Sequence, residues 1–109
     1  MDNQEKDFSD LQDLTENYRK SCRELDLSLK VERDATHAYN EKIILASKAN
    51  WEDLQMDRIT AAKYNAIIKY ETMEEKLVLE TAKLTRKISE NRNNSLKEAL
   101  YSYKKTLNF

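Results

Sequence analysis

The 109-residue sequence predicts an all-α protein: a long antiparallel helical hairpin with the character of a coiled-coil bundle, a short third helix and no β-sheet. Three observations predict it. The chain has no glycine and no proline, where one of this length averages roughly a dozen of the two. Its apolar residues recur three and four apart, the period of one face of an α-helix. Charged residues make up 36% and aromatics 8%, close to the composition of long helices. Lack of glycine also excludes phosphate-binding loops, dinucleotide-binding turns and nucleophile elbows.

Residues 1–8 read as a frayed acidic N-terminus, followed by one helical domain over 9–109. The first helix is predicted over about 9–48. Ser9 and Gln12 form a capping box at its start. Leu11, Leu14, Tyr18, Cys22, Leu25 and Leu29 then make one stripe. After Leu29 the pattern Val31, Ala35, Tyr39, Ile43 advances by fours and winds around the helix. Asn50 is a good N-cap, with Glu52 and Asp53 in the turn after it, and predicts a bend there. A continuous helix is the other reading of that site.

The second helix is predicted over 51–90. Its stripe is Met56, Ile59, Ala66, Tyr70, Met73, Leu77, Leu84 and Ile88, with Tyr70, Leu77 and Leu84 seven apart. Asn91-Arg92-Asn93-Asn94 favours a turn, and Ser95 to Glu98 form a capping box opening a last helix over 95–107; one long helix with an asparagine-rich solvent face is the other reading. Leu96, Leu100, Tyr103 and Leu107 give that helix its apolar face. With a bend near Asn50, Leu25 and Leu29 are expected to face Leu77, and Leu11 to approach Leu96.

The formal net charge is −1, but its distribution is uneven. Residues 1–16 carry six acids against Lys6, a net of −5, and residues 83–105 carry seven bases against Glu90 and Glu98, a net of +5. An antiparallel arrangement sets these blocks side by side; acids near helix starts and bases near helix ends answering the helix dipole is the other reading. The overall balance disfavours nucleic acid as a partner, because phosphate contacts call for a basic excess. No apolar run is long enough to span a bilayer. The acidic start is unlike a signal or transit peptide, and the single Cys22 fits a reducing, cytoplasmic setting.

No catalytic, cofactor-binding or metal-ligating constellation is expected. Cys22 and His37 are the sole residues of their kinds and lie fifteen apart, too far to share a helical face. Cys22 reads as a small buried hydrophobe and His37 as a surface residue. Glu71, Glu74 and Glu75 lack the Glu-x-x-His pattern of di-metal bundles. Tyr18, Tyr39, Tyr70 and Tyr103 fall on apolar stripes and read as core, whereas Trp51 suits a helix contact or a partner anchor.

The stretch RNNSLKEALYSYKKTLNF, with Arg92, Leu96, Leu100, Tyr103 and Leu107, resembles the final long helix of BAR-type domains, including sorting-nexin modules. The resemblance covers about a quarter of the chain. It implies a curved antiparallel dimer on an anionic membrane, with Lys83, Lys87, Lys97, Lys104 and Lys105 as contacts.

From the residues themselves, the expectation is a non-enzymatic assembly or adaptor subunit that binds protein helices in homo- or hetero-oligomers. The expected partner contacts are Leu11, Leu14, Tyr18, Leu25, Leu29, Trp51, Met73, Leu77, Leu84, Ile88, Leu96 and Leu100. Peripheral membrane binding through the five lysines is the alternative.

Overall fold

The computed structural model describes residues 3–107. They form three helices, α1 (Asn3–Gln55), α2 (Ala61–Glu71) and α3 (Met73–Thr106), with no strand among the described residues. The fold class is the helical hairpin predicted by period and composition. Asn3 to Phe8 belong to α1 instead of fraying, while Met1 and Asp2 lie outside the described residues, as do Asn108 and Phe109.

The helix boundaries differ from the sequence expectation in three places. The first helix does not end at residue 48, because α1 runs through Asn50 to Gln55. The Asn50 amide caps nothing and donates back to the Ala46 carbonyl within the helix, at 2.8 Å. The reversal comes at residues 56–60 instead. Asp57 takes the left-handed conformation, φ 54°, that a glycine would ordinarily supply. Its N–H donates to the Leu54 carbonyl at 3.2 Å and the Arg58 N–H to the Asp53 carbonyl at 2.9 Å, which makes a Schellman C-cap. Thr60 then caps α2, its hydroxyl accepting from the Lys63 N–H at 3.1 Å.

Second, Thr72 alone separates α2 from α3. Its N–H bonds the Ile68 carbonyl and its carbonyl takes the Lys76 N–H, both at 3.0 Å, while its φ of −104° and ψ of 6° depart from the helix. Third, Asn91 to Asn94 lie inside α3, so residues 95–107 are not a separate helix. Asparagine's turn preference is overridden because Asn93 is buried and bonded across the hairpin.

The chain divides into two compact units. The first joins residues up to Leu29 with those from Thr85 on. Here α1 and α3 run antiparallel. The Tyr103 hydroxyl donates to the Asp7 carbonyl at 3.1 Å, the Asn93 amide to Ser21 Oγ at 3.0 Å, and Arg92 pairs with Glu24 at 3.3 Å. The C-terminal end of the basic block, around Tyr103, therefore lies beside the acidic N-terminal block in this unit, while Arg92 pairs beyond that block. With Asp7 opposite Tyr103 and Ser21 opposite Asn93, Leu11 falls level with about Leu100 instead of Leu96.

The second unit spans Lys30–Leu84. Its core is Ala35, Leu79 and Ala82, with Tyr39 packed on them. Nearer the turn, Trp51 meets Tyr64 edge to face, 6.3 Å between ring centres, and the Tyr64 hydroxyl reaches the Ser47 carbonyl at 3.5 Å. Leu77 is 56% exposed and is not the seam partner expected for Leu25 and Leu29.

The buried positions follow a rule. On α1 they are Ser21, Ser28, Ala35 and Ala46, spaced by seven, seven and eleven. The eleven-residue step is the four-residue drift seen in the sequence, a stutter in the heptad pattern. From α2 to the end of α3 they are Thr72, Leu79, Ala82, Asn93 and Leu100. Most are small. The serine and threonine hydroxyls satisfy themselves on their own helices, Ser21 on Tyr18, Ser28 on Leu25 and Thr72 on Ile68, at 2.7–2.8 Å, so burial leaves them paired.

Spin labels at Ser9 and Lys97, both in the first unit, should lie within roughly 30 Å of each other in the same molecule. A single unbroken helix would set them roughly 130 Å apart at 1.5 Å per residue.

Candidate interaction surface

The hairpin sorts the expected contact residues into two groups. Leu11, Leu14, Tyr18, Leu25 and Leu96 are half-buried and Leu100 is buried, all in the first unit. They are consumed by the seam within the chain and are not free to meet a partner helix. Leu29, Trp51, Met73, Leu77, Leu84 and Ile88 are exposed. Tyr70, expected in the core, is 77% exposed.

Helical phase explains the division. Thr72, Leu79, Arg86, Asn93 and Leu100 stand seven apart, as do Glu75, Ala82, Ser89, Leu96 and Tyr103, and these rows face the seam. Leu77 is two residues short of Leu79, which turns it about 160° round the helix. Tyr70, Met73, Leu77 and Leu84 thus share the side of α2 and α3 opposite the core of the second unit. Their exposures of 77, 52, 56 and 62% mark an apolar face of four large side chains. Contiguous apolar surface of that kind signals interaction.

The edges of this face differ in charge. Lys69, Lys76 and Lys83 stand seven apart along one edge, with Glu80 among them. Glu71 and Glu74 lie along the other, and all six are exposed. Beyond the acidic edge, Ala35, Ala38, Glu74, Glu75 and Val78 line a groove of the second unit. There Glu75 Oε2 is buried without a hydrogen-bond partner. Sequence inspection missed the groove, along with the exposed Leu45 and Val78.

Elsewhere the chemistry is sparse. No group of three or more potential metal ligands occurs among the described residues. Cys22 is a free, half-buried thiol that receives the Asn93 amide at 3.1 Å. The Tyr18 phenol is held above its ordinary pKa, chiefly through its hydrogen bond with Cys22. His37 is exposed beside Glu41, 3.1 Å away. Lys83, Lys87, Lys97, Lys104 and Lys105 are all exposed, yet Lys83, Lys97 and Lys104 share their row with Glu90, seven from its neighbours. Glu90 in turn accepts from Arg86 at 2.8 Å. No helix among the described residues is long and apolar enough to cross a membrane. The chain matches no family model, no curated protein and no solved structure.

The Tyr103 phenol titrates above its ordinary value, first because it is partly withdrawn from water and then because the Asp10 and Asp7 carboxylates disfavour the phenolate. A pKa raised by folding stabilises the folded state below the unfolded value and loses that contribution as pH rises through the folded one. The urea midpoint should therefore fall above about pH 10. Tyr103→Phe should lower the midpoint at neutral pH and flatten its alkaline decline, which equilibrium melts at pH 7 to 11 will show.

Proposed function

We propose that this chain is a non-enzymatic assembly or adaptor subunit of the cytoplasm, which binds partner helices through the outer apolar face of α2 and α3. One observation carries the reading: Tyr70, Met73, Leu77 and Leu84 remain outside a hairpin whose own seam is already filled. A free face of this kind is costly in water unless something covers it. The helical spacing of its side chains suits another amphipathic helix, laid along it with anchors three, four and seven apart. Membrane attachment through the lysines has less support, since Glu90 and Glu98 lie among them.

A photocrosslinking amino acid in place of Leu77, activated in the cells that make the protein, should join the chain to a protein partner. Leu84→Asp in the same chain should abolish the adduct, because a carboxylate buried in an apolar interface costs several kcal/mol. No protein adduct at residue 77 would contradict the reading.

A further inference from the structure

We infer that the occupant of the outer face is a second copy of this chain, lying parallel and in register over residues 70–84. The inference rests on the proposal that this face binds a helix, and adds which helix and in which direction.

Charge decides both. The apolar row is bounded by Lys69, Lys76 and Lys83 with Glu80 on one edge, a net of +2, and by Glu71 and Glu74 on the other, a net of −2. The face is therefore complementary to itself. When two identical helices pair in parallel, the left edge of each meets the right edge of the other, so the lysine edge of one copy lies along the glutamate edge of its partner. When they pair antiparallel, each edge meets its own kind, lysines on lysines and glutamates on glutamates. Parallel pairing thus satisfies both edges and antiparallel pairing frustrates both. The apolar row suits the same geometry. In register, Tyr70, Leu77 and Leu84 each meet their own counterpart at seven-residue intervals. Tyr70 stands seven residues before Leu77, with the Thr72 junction between them.

An antiparallel charge match is already made inside each chain, where Arg92 of the basic block lies 3.3 Å from Glu24 of α1. It therefore does not force an antiparallel arrangement between chains. Exposed edge pairs are individually weak and select direction, while the apolar row supplies most of the affinity.

The test combines mass, charge reversal and distance on the full chain. Light scattering should give two copies at high concentration and dissociation on dilution. Lys76→Glu should weaken the dimer, roughly three- to tenfold at low salt and less at high salt. Exchanging the edges, Lys69→Glu and Lys76→Glu together with Glu71→Lys and Glu74→Lys, should regain affinity. If the pairing were antiparallel, Lys76→Glu would instead tighten it, which overturns the proposed direction. A single spin label at Asn65→Cys, in a Cys22→Ala chain, should report a distance within about 30 Å between copies. Antiparallel pairing centred on Leu77 would separate the two labels by about 36 Å along the axis alone, 24 residues at 1.5 Å each. A chain monomeric at every concentration whose residue 77 crosslinks to a different protein overturns self-pairing but leaves the adaptor reading intact. Absence of any protein adduct overturns both.

Discussion

The structure depends on a seam of small side chains. Serine and alanine at positions 21, 28, 35 and 46 of α1 are among its most buried residues. Two helices approach as closely as the side chains between them allow, and short ones allow the most. Polar members of the seam are tolerated because each has a partner. Ser21 and Ser28 bond to their own helix, and Asn93 bonds to Ser21 and Cys22. Such a buried, paired asparagine fixes register, since sliding the helices by a heptad would leave its amide without partners.

This choice of seam sets what remains outside. Two apolar rows compete along α2 and α3, the one through Leu79 and the one through Leu77. Beside the first, the row of Ala82 brings in Leu96 and Tyr103 towards the end of the helix, where Leu100 also falls; the second runs into Asn91, Ser95 and Ser102. Within the second unit Leu79 and Ala82 take the core, and Leu77 and Leu84 lie outside it with exposures of 56 and 62%. Their outward placement follows from helical phase, so it needs no local distortion to explain it.

The fold class was legible from the missing glycine and proline and from the period of the apolar residues. The site was only half legible. The α1 stripe was read correctly as apolar, but Ser21 and Ser28 do not register as core in a search for large hydrophobes, although they lie among Tyr18, Leu25 and their neighbours at the right intervals. On α3 the more conspicuous leucines, 77 and 84, were not the ones buried. Extending Leu96, Leu100 and Tyr103 back by sevens would have found the seam. The reversal was missed for another reason. Asparagine 50 looked like a cap, whereas Asp57 and Thr60, an aspartate able to take positive φ and a threonine able to cap, carried the signal in a chain without glycine.

The central claim is that Ala82 faces a filled seam while Leu84, two residues on, faces none. Unfolding free energies of Ala82→Leu and Leu84→Ala, measured by urea melts at concentrations where the chain is monomeric, test it most directly. Enlarging Ala82 should cost about 1–3 kcal/mol through overpacking, and trimming Leu84 should change stability by no more than about 0.5 kcal/mol. A loss of about 2–5 kcal/mol for Leu84→Ala, the penalty of a buried leucine, together with an indifferent Ala82→Leu, would contradict the account.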